Sequence, residues 1–335
     1  MMILRFLILW VLIGIGVQAR AADSASILLY HRFAENDLPS TSVRLEQLDA
    51  HINTLRETGA QVLPLAQIVE AFEKDIPLPD RAVALSVDDA FLSAYTIAWP
   101  RWRDAGYSFT LFVATEAVDR KLPGYMTWDQ IRELRDAGVT IGSQTTSHPH
   151  LPQVSDKKLA EELAYSNRRF KEELGHRPNL IAYPYGEAGV REWRAAKAAG
   201  FKAGFGQHSG VAHGAEDRFY LPRFSLNEQY GDVARVKLVS GARPIPVTDW
   251  SPADPVLTNT NPPPFGFTLT DPKIKGDRLS CYMSHGIQPV VSLLGNSRVE
   301  IRSPDPLPAG RTRLNCTLPG REGRWHWVGR QFFAK

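Results

Sequence analysis

The chain lacks several features that would have placed it in a large functional class. Its 39 lysines and arginines against 36 aspartates and glutamates leave a formal net charge of only +3, and the basic residues form no long block. So weak a charge gives no support to nucleic-acid binding. Beyond Val17 there is no apolar run long enough to span a bilayer, and there is no internal repeat or low-complexity tract. With 43% hydrophobic residues, the chain can instead build a sizeable globular core.

The long hydrophobic run that does occur lies at the N-terminus. A short basic start is followed by an apolar stretch from Phe6 to Val17 and by the small-residue motif Ala19-Arg20-Ala21. This pattern predicts a secretory signal peptide over residues 1–21, cleaved after Ala21, and a secreted or periplasmic mature protein. A retained membrane anchor is the alternative, but the run is shorter than the roughly 20 residues that a spanning helix needs.

Cysteine is scarce, since Cys281 and Cys316 are the two in the sequence. In an exported chain, whose compartment is oxidising, two cysteines within one C-terminal module favour a disulfide. Two buried free thiols are the alternative.

Between Ser26 and about Gly241, short apolar runs alternate with stretches of helical periodicity. The predicted strands are 26–30, 82–87, 109–114, 139–144, 180–183, 203–205 and 221–226. The predicted helices include 65–74, 91–105, 127–137, 156–174 and 190–199. This alternation predicts a parallel sheet covered by helices. About seven strands favour a barrel over an open sheet, and we assign residues 22–242 to it.

The composition changes after Gly241. Residues 243–265 contain seven prolines, which exclude helix and predict a linker. Residues 266–335 contain short strand-like runs separated by Gly, Pro and Asn, which predict a small, β-sandwich-like all-β module.

Asp88 and Asp89 stand directly after the apolar run 82–87 and are the most informative residues of the chain. An isolated Asp-Asp pair is typical of a solvated turn, and a His-Pro-His motif alone is typical of a surface loop. Two acids at the carboxyl end of a buried strand, followed by histidines after another strand, instead indicate a metal-using hydrolase, because such sheet edges carry the active sites of α/β enzymes.

Several motifs follow one another in a recognisable order. They are Tyr30-His31, Asp88-Asp89, residues 142–151, residues 182–186 and residues 221–224. In this order and at strand ends, they resemble the polysaccharide deacetylases of carbohydrate esterase family 4, over roughly residues 27–226. The resemblance implies the family's irregular (β/α)7 barrel.

The resemblance also implies roles for individual residues. Asp88 would be the catalytic base, and Asp89 and His148 would be ligands of a divalent metal, with zinc favoured and cobalt or nickel as alternatives. Amide hydrolysis near neutral pH benefits from such a metal, which lowers the pKa of bound water to about 7 and polarises the acyl oxygen. A neighbouring carboxylate can then take the water's proton.

The sequence departs from the family pattern at two positions. Gln144 stands where the family has its first metal-binding histidine, and Ala90 stands where it has a glycine after the acid pair. An amide oxygen is a weaker zinc ligand than an imidazole. Three alternatives follow: Gln144 joins Asp89 and His148 on the metal, His150 rotates in to replace the missing imidazole, or the site has lost both metal and chemistry.

Five further residues are candidates for the rim of the site. In the family, the segment 183–186 lines the groove, so Tyr183 and Tyr185 are predicted to contact substrate, with the Tyr185 backbone amide binding the oxyanion. Both tyrosines could instead pack beneath the strand end. Arg223 is predicted to lie beside Asp88, with surface exposure as the alternative. His31 and His150 are predicted to face substrate, with His31 also a candidate proton donor.

Three functions are compatible with these residues. The first is an exported, metal-dependent hydrolase that removes N-acetyl groups from amino sugars of an extracellular or cell-wall polysaccharide. The second is a catalytically silent protein of the same fold that binds carbohydrate or assists polysaccharide assembly. The third is an exported hydrolase of another amide or ester, because the fold does not determine the substrate.

Overall fold

The computed structural model describes residues 21–258 and 260–335. Apart from Ala21, the predicted signal peptide lies outside the described residues. Within the described ranges, no helix is both long and apolar enough to cross a membrane.

Parallel strands form the central sheet of the larger part of the chain. In chain order they are β1 (Ser24–Tyr30), β2 (Ala82–Val87), β3 (Thr110–Val113), β4 (Thr140–Ser143), β5 (Leu180–Ala182), β6 (Ala203–Phe205) and β7 (Phe224–Ser225). Strands β1 to β6 lie side by side in chain order. Every residue of β2 is buried, as expected for a strand covered on both faces.

The sheet is closed by a seventh strand that is built in two short pieces. Leu221 forms a parallel bridge to Phe205 on β6, and β7 then pairs in parallel with β1, Phe224 opposite Leu28. Between the two pieces lies Pro222, which has no N–H to donate to a strand ladder. The closed ring of β1 to β7 is the predicted irregular (β/α)7 barrel, which is therefore confirmed.

Helices surround the barrel. They are α1 (Leu45–Glu57), α2 (Leu65–Lys74), α3 (Trp99–Asp104, after a π-helical turn at Ala94–Ala98), α4 (Thr115–Asp119), α5 (Trp128–Asp136), α6 (Asp156–Leu174), α7 (Val190–Ala198) and α8 (Val233–Ser240). The longest, α6, begins where the Ser155 hydroxyl accepts a hydrogen bond from the Lys158 N–H (3.2 Å) and ends at Gly175, whose φ is 80°. These are the usual signals for the start and the end of a helix.

Short strands extend these elements. Ala21–Ala22 pairs with Leu78–Pro79, Arg32–Phe33 with Ser42–Val43, Gln61–Val62 with β2, and Ala212–His213 with β1.

Two packed sheets form the C-terminal module. Its strands are β8 (Arg243–Pro244), β9 (Val247–Ser251), β10 (Val256–Leu257), β11 (Phe265–Leu269), β12 (Ser280–Met283), β13 (Val290–Leu294), β14 (Arg298–Arg302), β15 (Gly310–Pro319) and β16 (Trp325–Ala334). One sheet has the order β8-β16-β15-β12, with β10 also paired to β16, and the other has the order β9-β11-β14-β13. Cys281 and Cys316 face each other on β12 and β15 and form a disulfide.

The segment predicted to be a linker, residues 243–265, is part of these sheets. It contributes β8, β9 and β10, and Phe265 begins β11. The prolines exclude helix, as predicted, but proline is tolerated on the edge of a sheet, where one N–H needs no strand partner. Both β8 and β9 are edge strands, so proline content alone could not separate them from a free linker.

Strand β16 joins the module to the barrel. The Trp327 ring packs edge-on against Phe224 of β7, with ring centres 5.2 Å apart. Further along the strand, Gly329 lies so close to the barrel that a Cβ atom there would be 2.0 Å from the carbonyl oxygen of Ser209. The close approach of two backbones at this point requires glycine.

We expect Gly329→Ala to destabilise the protein by about 1–3 kcal/mol, because the new methyl group meets a backbone oxygen that cannot turn away. The measurement is urea unfolding. Gly214→Ala is the matched control, since its Cβ would meet Phe72 at an ordinary 3.9 Å. Equal free energies of unfolding for the two variants would contradict this account of the interface.

Candidate active site

An ion pair inside the barrel fixes the first carboxylate of the site. Arg223 donates from Nη1 to Asp88 Oδ1 (2.7 Å) and from Nη2 to Oδ2 (2.8 Å), and both side chains are 0% exposed. The same guanidinium donates from Nε to the carbonyl of Gly206 (2.9 Å) and from Nη1 to the Ser86 hydroxyl (3.3 Å). Arg223 thus lies beside Asp88 and not at the surface.

Asp89 begins the turn that follows β2. Its φ is 73° and that of Ala90 is 57°, so two successive residues occupy the left-handed region. Glycine adopts this region at no steric cost, whereas alanine does so less readily. Burial raises the pKa of Asp89 to about 6, and the negative charge of Asp88 adds to this shift. The Asp88 N–H donates to the carbonyl oxygen of Tyr30 (2.9 Å), so His31, directly after β1, is near the acid pair.

Gln144 bridges Asp89 and His148 through its side-chain amide. Its Oε1 accepts a hydrogen bond from the Asp89 backbone N–H (2.9 Å), and its Nε2 lies 3.1 Å from His148 Nε2. A backbone N–H can only donate, so it fixes the orientation of the amide, and the nitrogen must face the histidine. His148 Nε2 is then the acceptor. The imidazole atom that would bind a metal therefore already holds a hydrogen bond.

Two of the three predicted metal ligands fit a divalent cation. Asp89 Oδ1 is buried without a hydrogen-bond partner in the described part of the chain and lies 3.4 Å from His148 Nε2. Burial lowers the pKa of His148 to about 4, which leaves the imidazole neutral, as a ligand must be. Gln144 in its present orientation offers an N–H instead of an oxygen. Among the described residues, no three or more His, Cys, Asp or Glu side chains are grouped so that they could hold a metal ion.

His150 is held away from the acid pair by its own contacts. Its Nδ1 is 2.7 Å from Glu187 Oε2, and its ring stacks on Tyr185 with centres 4.2 Å apart. Replacing the missing imidazole would break both contacts. The His150 side chain is 46% exposed, so it remains available to a substrate.

The two tyrosines of the groove segment have different environments. Tyr185, with φ 58°, lies between the rings of His148 (4.5 Å) and His150 at the rim. Tyr183 is 1% exposed and belongs to the core cluster that includes Ile181 and Tyr220. The prediction that Tyr183 contacts substrate is therefore wrong, because its side chain points into the protein.

Sequence reasoning missed several residues of this region. Gln207 Nε2 lies 3.4 Å from Asp88 Oδ2, and the Glu187 side chain is buried beside His150. Glu187 directly follows the predicted groove segment 183–186. Its position in the sequence could therefore have marked it as a candidate residue of the site. Arg311 and Gln331 reach the Tyr185 carbonyl from the C-terminal module, and no motif in the sequence marks them.

Comparison with protein families and curated proteins gives consistent matches. Residues 75–204 match the family model described as polysaccharide deacetylase. YxkH of Bacillus subtilis strain 168, which is named as a candidate polysaccharide deacetylase, is 24% identical over 201 residues. The matched region is 60% of this chain and 71% of that protein.

Two named deacetylases also match. The poly-β-1,6-N-acetyl-D-glucosamine N-deacetylase of Escherichia coli K12 is 26% identical over 218 residues, which are 52% of this chain but only 32% of that protein. The protein of the same name from Staphylococcus aureus MSSA476 is 22% identical over 225 residues, 63% of this chain and 77% of that protein.

Solved structures share the fold. The deacetylase PplD of Streptococcus pyogenes, solved with acetate, superposes with a TM-score of 0.60 at 20% identity and covers 65% of this chain and 97% of its own. IcaB of Ammonifex degensii superposes with a TM-score of 0.59 at 24% identity and covers 66% of this chain and 99% of its own.

We expect Arg223→Met to destabilise the protein by about 3–5 kcal/mol, because it leaves the buried Asp88 carboxylate without its partner. The double variant Asp88→Leu/Arg223→Met, which removes both charges, should lose clearly less. Urea unfolding of wild type and both variants is the measurement. A double variant less stable than Arg223→Met alone would contradict the assignment of the pair.

We expect Gln144→His to bind zinc at least about tenfold more tightly than wild type, since a metal no longer has to displace a hydrogen bond worth about 1 kcal/mol and gains an imidazole. Isothermal titration with zinc and cobalt measures the affinities. Gln153→His, at an exposed position, controls for an adventitious histidine. Equal affinities for all three proteins would show that Gln144 does not limit metal binding.

Proposed function

We propose that the chain is a polysaccharide deacetylase, in line with its match to that family model over residues 75–204, and that it hydrolyses N-acetyl groups of amino sugars in an extracellular or cell-wall polysaccharide. The observation that carries this proposal is the buried Asp88–Arg223 pair next to Asp89 and His148. A buried, paired carboxylate beside a second carboxylate with a free oxygen is suited to acid–base chemistry, and a structural ion pair alone would not need the second group.

Asp88 is the proposed base. Its Oδ1 accepts from Arg223 Nη1, while Oδ2 accepts from Nη2 and, more weakly, from Gln207. Each carboxylate oxygen has two lone pairs, so Oδ1 retains one that can take a proton from an attacking water. Arg223 holds the carboxylate in one orientation through two parallel hydrogen bonds.

Asp89 and His148 are the residues that would hold a divalent metal, zinc or alternatively cobalt or nickel. When bound, such an ion would polarise the acyl oxygen of the substrate and make water a better nucleophile. Gln144 would take part through its oxygen only after its amide had turned and released the Asp89 N–H.

Residues around the groove complete the proposal. The Tyr185 backbone amide is the candidate donor to the oxyanion, and His31 is the candidate donor of a proton to the leaving amine. His150, exposed beside Tyr185, is placed to contact a sugar unit. The predicted signal peptide would deliver the protein to the periplasm or the exterior, where such a polymer occurs.

Gln144 favours a second candidate function. The Gln144 side-chain N–H2 group donates a hydrogen bond to His148 Nε2, the nitrogen that would bind a metal. Without a metal, the chain would bind an N-acetylated polysaccharide and not hydrolyse it. That function predicts glycan binding that is insensitive to chelators.

We expect Asp88→Asn to lower acetate release from N-acetylglucosamine oligomers by about 100-fold or more, because the amide cannot accept the water's proton. The assay includes zinc, cobalt or nickel, with a chelator series alongside. Asp305→Asn, at an exposed aspartate, is the control. No release by wild type with any metal, together with glycan binding that survives chelation, would overturn the enzymatic proposal in favour of the binding function.

A further inference from the structure

The C-terminal module reaches the rim of the site with one face of its longest hairpin. Arg311 and Arg313 are two residues apart on β15 and so share a face, and Gln331 stands directly opposite Arg313 on β16. This face meets the Pro184–Gly186 turn of the barrel, which carries Tyr185.

Both strands of the hairpin donate hydrogen bonds to the carbonyl oxygen of Tyr185. Gln331 Nε2 donates to it at 3.1 Å, and Arg311 Nη1 donates at 3.4 Å. Arg313 Nε donates to Gln331 Oε1 (3.2 Å), which leaves the Gln331 nitrogen to face the tyrosine. The left-handed conformation of Tyr185, φ 58°, is costly for a residue with a side chain and persists only when its surroundings hold it.

Arg311 also holds the next residues of the groove. Its Nε is 3.3 Å from Glu187 Oε1, and the other oxygen of Glu187 binds His150. The Arg311 guanidinium lies 5.4 Å from the centre of the Tyr185 ring, and that ring also contacts His148 and His150. Replacing Arg311 therefore removes contacts to the Tyr185 carbonyl, the Glu187 carboxylate and the Tyr185 ring at once.

We propose that the C-terminal module is part of the active site and that Arg311 is a positioning residue, which holds the Tyr185 turn and, through Glu187, His150. The catalytic consequence rests on the proposed deacetylase function. The positioning itself does not, and it can be measured without turnover.

The test compares Arg311→Met with Arg298→Met in the full-length protein. Arg298 is a matched control, because it also pairs with a glutamate through Nε (Glu300, 2.7 Å) and donates from Nη1 to a backbone carbonyl (Asp249, 2.8 Å), but it does so within the module. The first readout is hydrogen exchange of backbone amides in residues 183–188, followed by mass spectrometry. The second is kcat and KM for acetate release from N-acetylglucosamine oligomers.

We expect Arg311→Met to accelerate exchange in residues 183–188 about tenfold, which corresponds to about 1.4 kcal/mol of local stability, and to lower kcat with little change in KM. Arg298→Met should leave both unchanged. Arg311→Lys should restore them only in part, since an ammonium lacks the fork that binds Glu187 and the Tyr185 carbonyl together. Gln331→Met should act on exchange in the same direction as Arg311→Met.

Unchanged exchange in residues 183–188 would overturn the inference, and so would a uniform acceleration over barrel and module alike, which reports general destabilisation. A wild type that releases no acetate would count against the proposed function but not against the positioning of the Tyr185 turn by Arg311, which exchange alone decides. Faster local exchange with unaltered kcat in an active enzyme would overturn the claim that the turn serves catalysis.

Discussion

The ion pair between Asp88 and Arg223 is the constraint on which the site depends. Asp88 directly follows strand β2 and Arg223 directly precedes strand β7, and these strands do not neighbour each other in the sheet, so the pair spans the interior of the barrel. Two charges withdrawn from water are stable only with near-ideal geometry and further hydrogen bonds. Arg223 meets this condition through its additional bonds to Gly206 and Ser86.

The same pair depends on the seventh strand, which is irregular. Pro222 interrupts the ladder, and the residue after it, Arg223, turns its side chain into the barrel and not toward the helices. Leu221 and Arg223 are two residues apart and so share a face, which places the guanidinium inside the barrel while Leu221 bridges to β6 and Phe224 pairs with β1. The two-sided pairing of this segment therefore fixes the side chain that holds the Asp88 carboxylate.

Much of the fold could be predicted because the sequence carries strong local signals. The bounds of α2 and α6 agree with the prediction to the residue, since periodicity and end signals coincide there. The environments of Tyr183 and Tyr185 could not be predicted, because a period of two holds only while a strand continues. The left-handed turn at Tyr185 ends that alternation and sends the two rings in different directions.

The contacts between barrel and module were beyond prediction for a different reason. Arg311 and Gln331 are distant in sequence from the residues they hold, and arginine and glutamine on a strand are ordinary surface residues by pattern. Their position follows from the packing of β16 against the barrel, which Gly329 permits.

Gln144 is linked to the left-handed turn that contains Ala90 through one backbone hydrogen bond. The Asp89 N–H, at the start of this turn, donates to the Gln144 oxygen at 2.9 Å. A histidine bound to metal through one nitrogen carries a proton on the other and could not accept that bond. An unsatisfied, partly buried N–H costs about 1–3 kcal/mol. Glutamine therefore stabilises the turn and weakens the metal site by the same contact, so stability and metal affinity oppose each other at this position.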